Sequence, residues 1–271
     1  MSLTVPFGRH TLDVDTLGSH GPPVVLVHST GMTSRQWKRL AERLAPTHRV
    51  FLPDLVGYGA SSSWPRGEPF HWTLDVLGIE AVIDSLDEPV HLVGHSYGGL
   101  LAITAALHRR GRIRSLACVE PVAFGLLHAL DDTAFSFESM PFYDRHALPN
   151  DPLAGEKWLT WFVDYWNGPG AFAALPDRMR ASFLSTVDIC FGEVRSLLED
   201  RTTVAVWSTI EAPSLFVRGE ISPVEARRVA ELLSMSLPRG SLHEIRGAGH
   251  MSPLTHGDEV AKRIADHIES A

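Results

Sequence analysis

The chain has 271 residues, 44% hydrophobic and 21% charged, which suits one α/β domain carrying an insertion and a sizeable core. A formal net charge of −8 argues against nucleic acid as the main partner. No stretch approaches the ~18 consecutive apolar residues of a membrane span, and the first ten residues lack the apolar core of a signal peptide.

Early short strands are expected around Leu12-Asp13-Val14. Residues 24–27, Val-Val-Leu-Val, form the continuous apolar run of a strand buried on both faces. Trp37, Leu40 and Leu44 then share one helical face, and residues 49–52 read as the next strand. Val76, Ile79, Val82, Ile83 and Leu86 recur at helical spacing, and residues 90–93 and 113–119 read as strands with a helix between them. Residues 214–217 and 242–245 read as strands, each followed by a helical pattern, at 223–235 and 258–269. Strands alternating with helices imply a parallel sheet covered on both faces. Residues 122–210 break this rhythm. They hold no convincing strand, many aromatics, and breaks at Pro149, Pro152, Gly168-Pro169-Gly170 and Pro176. The expected organisation is a core of residues 1–121 and 211–271 with a helical cap at 122–210. Most of its aromatics would fill the cap's own core. A few, with Trp158, Trp161 and Trp166 as candidates, would line an apolar pocket together with His28 and Ser29.

Chemistry concentrates at Gly94-His95-Ser96-Tyr97-Gly98-Gly99, between a strand and a helix. A serine flanked by glycines on such a turn is held in a strained conformation with its hydroxyl exposed near a helix N-terminus, as in a nucleophile elbow. The competing reading is a phosphate-cradling turn, but these glycines fit neither a dinucleotide fingerprint nor a phosphate loop. Serine needs a base, and the base needs an orienting carboxylate. Gly247-Ala248-Gly249-His250-Met251 follows the last strand, so His250 lies on a loop at the carboxyl edge of the sheet, where ligands bind in such folds. A plain surface histidine is the alternative for His250, and His256 is a weaker candidate base. The amide of Tyr97, and that of Thr30 in the loop His28-Ser29-Thr30-Gly31, would receive the oxyanion.

These motifs, with Asp54-Leu55-Val56-Gly57-Tyr58-Gly59 and the order serine, acid, histidine, resemble the α/β-hydrolase fold over nearly the whole chain. The resemblance implies a structural role for Asp54 and a packing or orienting role for His95. Two departures stand out. Ser29 occupies a position where many members have glycine. The usual acid, three residues past a glycine after the strand at 214–217, is replaced by Ser222. Three explanations compete. Glu120, ending the strand before, supplies the carboxylate, as the similar pattern of many haloalkane dehalogenases implies. Alternatively Glu220 reaches the histidine, or no acid is present and the chain is a weak dyad or a non-catalytic binder. The first is preferred, because a covered carboxylate at a strand end needs a partner such as imidazole.

The expected activity is that of a cofactor-independent serine hydrolase acting on a carboxylic ester or related acyl compound, apolar or aryl. Serine at position 96 argues against dehalogenase or epoxide hydrolase chemistry, in which relatives attack with a carboxylate. The same core in the family also runs lactone hydrolysis, carbon–carbon cleavage and cofactor-free perhydrolysis, and a slow ligand-binding homologue is a reading from another class. The 14 histidines are scattered without metal-ligand spacing, so no metal is expected. Cys118 and Cys190 are expected to be reduced and buried in a cytoplasmic protein that acts on a small molecule.

Overall fold

Eight strands form one sheet in a computed structural model that describes residues 2–65, 67–128, 140, 142 and 152–271. They are β1 (Ser2–Phe7), β2 (His10–Leu17), β3 (Pro23–Val27), β4 (Arg49–Pro53), β5 (Val90–His95), β6 (Ile113–Val119), β7 (Ser214–Gly219) and β8 (Gly240–Ile245). Their order is β1-β2-β4-β3-β5-β6-β7-β8. The first two strands pair antiparallel, as do β2 and β4, and every other pairing is parallel. The early short strands expected around residues 12–14 are β1 and β2, and β1 begins well before that stretch. That strand sits at the sheet edge, buries only Val5 and Phe7, and carries Pro6, which an edge tolerates because one side of its ladder is unpaired.

The strand pleat sorts alternate residues to opposite faces. Val24, Leu26, Val93, Ala117, Val119 and Val217 face α1 (Lys38–Leu44) and α12 (Gly257–Glu269), which contribute Leu40, Leu44, Val260 and Ile264. Val25, Val27, Leu92, Leu116, Cys118 and Phe216 join the opposite core with α2 (Thr73–Asp84), α3 (Tyr97–His108) and α10 (Val224–Ser236). Both faces of the central strands are therefore dry, which is why 24–27 reads as an unbroken apolar run.

Between β6 and β7 the described residues form α4 (Gly125–His128), α5 (Pro152–Asn167), α6 (Ala171–Ala174), α7 (Asp177–Ser185), α8 (Val187–Leu197) and α9 (Val204–Trp207). Pro149 lies outside the described residues. Gly168 and Gly170 take positive φ, 97° and 82°, where α5 turns into α6, and Pro176 immediately precedes α7. The aromatics here do not make a separate core. Trp158, Trp166, Phe172, Phe183 and Trp207 are continuous with the cluster over α2, α3 and α10, because α8 and α9 lie directly on that face. Downstream, α11 (Ser252–Thr255) follows the loop that bears His250.

Candidate active site

The turn between β5 and α3 has the geometry that its glycines foretell. Ser96 sits at φ 53°, ψ −115°, in the left-handed half of the map that side chains avoid. A side chain at 94 would collide with the Gly98 carbonyl, and one at 98 with the carbonyls of Val27 and His28. The Ser96 amide donates to the Val119 carbonyl at 2.9 Å, which ties the strained residue to the end of β6.

One residue further along, Glu120 also takes a positive φ, 51°, and is fully buried. Its Oε1 accepts the Gly219 amide and, at 2.7 Å, the Ser222 hydroxyl. Its Oε2 faces His250 Nδ1 at 3.3 Å, and His250 Nε2 lies 2.9 Å from Ser96 Oγ. Ser96, His250 and Glu120 are thus brought into one run. Ser222, where the resemblance implies an acid, instead donates its hydroxyl to the carboxylate that follows β6. Glu220 is not part of the group: its side chain accepts the Gly247 amide at 2.8 Å on the exposed side of the loop. His256 is also elsewhere, bonded to the neighbouring Thr255 hydroxyl.

A second run braces the loops from behind. Gln36 Oε1 accepts both the amide (3.1 Å) and the hydroxyl (2.9 Å) of Ser29. Its amide nitrogen therefore donates to His95 Nδ1, at 2.9 Å, leaving His95 Nε2 to donate to the His250 carbonyl at 2.9 Å. Burial, and then the His250 charge, pushes the His95 imidazole down to about 3, so the ring stays neutral and keeps that tautomer. The serine at 29 adds a hydroxyl to this brace that glycine would not supply. Asp54 does brace loops, as the resemblance implies: it accepts the Ser34 amide at 2.7 Å.

Above the serine lies a cavity of about 220 Å³, lined by Ser29, Thr30, Ser96, Trp166 and His250 among others. Trp166 stacks on the His250 ring, with centroids 4.0 Å apart and planes at 27°. Three expected pocket residues do not line it. His28 is fully buried, accepting the Leu55 amide at one ring nitrogen and donating to the Ser29 carbonyl from the other. Trp158 stacks on Phe162 and donates to the Phe142 carbonyl at 3.1 Å. Trp161 faces outward, 37% exposed, under the Lys157 ammonium. Phe162, Val163 and Asn167 line the cavity beside Trp166 and were missed as pocket residues, although their spacing puts them on one face of α5 with Trp166. Met32 and Leu254 also line it but left no periodic signal, because they sit on a loop and a one-turn helix.

Two buried carboxyls flank this site without touching the serine. Asp75 accepts from the Tyr97 hydroxyl at 2.8 Å and the Val56 amide at 3.2 Å, and burial pushes it up to about 7. Glu193, on α8, accepts from the Tyr58 hydroxyl at 3.1 Å, and burial together with Asp75 raises it well above the usual carboxylate range. In the unfolded chain Asp75 would ionise near pH 4, whereas the folded chain keeps its proton to about pH 7. The folded state therefore loses stability as pH rises through that interval, and the loss levels off above it. Asp75→Asn is expected to flatten the melting temperature against pH between 4 and 7, as read by differential scanning fluorimetry. An unchanged slope would refute this.

The Alpha/beta hydrolase family model matches residues 24–263. The chain is 30% identical over 268 residues to a pimeloyl-[acyl-carrier protein] methyl ester esterase of Chromobacterium violaceum, covering 96% of this chain and 98% of the relative. It is 24% identical to a 2-hydroxymuconate semialdehyde hydrolase of a Pseudomonas species, covering 93% of this chain and 88% of the relative. Among solved structures, the enol-lactonase from Burkholderia xenovorans superposes with a TM-score of 0.78 at 18% identity, covering 98% of this chain and all of that one. The motifs, the sheet and these matches agree, and this chain belongs to the alpha/beta hydrolase family.

Proposed function

We propose that the protein is a serine hydrolase that cleaves a carboxylic ester, or a related acyl compound of apolar or aryl character, through an acyl-enzyme. The observation that carries this reading is the hydrogen-bonded run from Ser96 through His250 to Glu120 beneath an apolar cavity. Ser96 Oγ attacks the carbonyl carbon while His250 Nε2 takes the hydroxyl proton. Glu120 accepts from Nδ1–H, which fixes the tautomer and stabilises the imidazolium. The stacked Trp166 face adds a cation–π attraction to the same cation. The amides of Tyr97, first residue of α3, and of Thr30 receive the oxyanion; the first amides of a helix have no intrahelical acceptor. Collapse of the tetrahedral species expels the alcohol, protonated by His250. Water, deprotonated by the same histidine, then releases the acid from Ser96.

Residues 122–210 serve as the cap over a core of 1–121 and 211–271, a reading supported by the α5 and α7 side chains in the cavity wall. Similarity to a relative named as a methyl ester esterase supports ester cleavage. Two free, buried cysteines support a reducing, cytoplasmic setting.

A fluorophosphonate probe is expected to label the folded wild type and not Ser96→Ala, as read by intact mass. Failure of the folded wild type to label would overturn the proposal. The cavity of about 220 Å³ is smaller than the roughly 300–1,000 Å³ of drug-sized sites. Short acyl chains are therefore expected to turn over best: kcat/KM for p-nitrophenyl butyrate should exceed that for the palmitate by at least about tenfold. A preference for palmitate would contradict the dimensions of the cavity.

A further inference from the structure

The mechanism makes no use of Glu193, although this carboxyl is fully buried and lies within reach of the loop that carries Thr30. The Tyr58 hydroxyl accepts the Gly31 amide at 3.0 Å, sits 3.2 Å from Cys190 Sγ, and donates to Glu193 Oε2 at 3.1 Å. The Thr30 side chain interacts with the same carboxyl, whose Oε1 has no hydrogen bond of good geometry. Thr30, which bears the amide, and Gly31 after it thus both approach one acid on α8, Gly31 through the Tyr58 hydroxyl. Packing follows the same path. A side chain at Gly31 would run into the Phe183 ring of α7, and one at Gly57 would crowd Ile189 of α8. The residue bearing the other oxyanion amide, Tyr97, is held in parallel through its hydroxyl on Asp75.

We propose that Glu193 is a positioning residue for the oxyanion loop: through Tyr58 and Thr30 it fixes the Thr30 amide at the reacting carbonyl oxygen and makes the oxyanion site depend on the seating of α8. This rests on the serine hydrolase reading above. A hydroxyl whose acceptor side is taken by the Gly31 amide must place its own proton on an acceptor, and among the described residues Glu193 and Cys190 are the side chains hydrogen-bonded to it. Burial favours the uncharged form of Glu193, which spares the core a bare charge while Oε2 accepts from Tyr58. Glutamine has the same shape and the same mixture of acceptor and donor. Leucine has the volume and neither function.

The test compares Glu193→Gln, Glu193→Leu and Tyr58→Phe, each checked for folding by its melting temperature. Removing one oxyanion donor costs about 10²–10³ in kcat, so a displaced donor should cost roughly 10–100-fold. Glu193→Leu is expected to lower kcat by that factor with KM within about threefold, while Glu193→Gln stays within about threefold of wild type in both. Affinity for butyl trifluoromethyl ketone, whose serine adduct carries an oxyanion, should weaken about as much as kcat falls. Affinity for the non-fluorinated ketone should move less than about threefold. A Glu193→Leu variant that keeps kcat and inhibitor affinity would overturn the proposal. So would a Glu193→Gln variant as impaired as the leucine one. Should Glu193→Leu fail to fold, Tyr58→Phe carries the test: it keeps the ring, removes the relay and is expected to lose about tenfold in kcat, and retention of full kcat would overturn the proposal. Fluorophosphonate labelling of the wild type at Ser96 tests the underlying hydrolase reading separately, since the probe's success does not depend on Glu193.

Discussion

Glu120→Gln is expected to lower kcat on p-nitrophenyl butyrate by roughly 10²–10⁴-fold, and Glu220→Gln to leave it within about twofold. The two glutamates differ in what they touch. Glu120 is fully buried and faces His250 Nδ1 at 3.3 Å, while its other oxygen is held by the Gly219 amide and the Ser222 hydroxyl. An amide at 120 could turn its NH₂ toward His250, inverting the ring tautomer and leaving Nε2 unable to take the serine proton. It would also remove the charge that stabilises the imidazolium. Glu220 closes an exposed turn onto the Gly247 amide, so its loss costs a surface hydrogen bond and no chemistry. Near-wild-type activity of folded Glu120→Gln would remove the acid from the assignment.

Ser222→Asp is expected to cost at least about 10²-fold in kcat, and Ser222→Asp combined with Glu120→Gln to exceed Ser222→Asp alone by about tenfold or more. The Ser222 hydroxyl lies 2.7 Å from Glu120 Oε1, with both residues buried. A carboxylate introduced there meets Glu120 at hydrogen-bond distance. Two such acids cannot both ionise, so they share a proton and neither supports the imidazolium fully. Neutralising position 120 removes the conflict and leaves one acid at the place the family ordinarily uses. Two mutations at independent sites would multiply their losses, whereas here the second should relieve the first. A double variant as poor as the product of the two single ones would show that position 222 cannot serve the base in this fold.

The parts of this protein that were legible in its sequence are those fixed by local rules. The unbroken apolar run of β3, helical spacing in α2 and α12, and the glycines around Ser96 each follow from contacts that the chain imposes on its own neighbours. His250 was legible because a loop after the last strand must lie at the carboxyl edge of the sheet. Glu120 needed more, since its preference over Glu220 rested on the missing aspartate at 222 and on family pattern. What lay out of reach was pairing at long range. Nothing local to Glu193 announces Tyr58 as its partner, and nothing local to Gln36 announces His95. Tryptophans 158 and 161 illustrate the same limit. They share α5 with Trp166, but the neighbours that cover one and leave the other in solvent come from elsewhere.

The position of the acid also bears on how the molecule is built during synthesis. Ser96 and Glu120 end adjacent strands of a single β5–α3–β6 unit, tied by the Ser96 amide on the Val119 carbonyl. The proposed nucleophile and acid are therefore neighbours within one crossover unit, separated by a loop of modest length. An acid at 222 would instead have waited for β7. Of the three residues in the proposed triad the base comes last, because His250 takes its place only once β8 and the loop after it have joined the sheet.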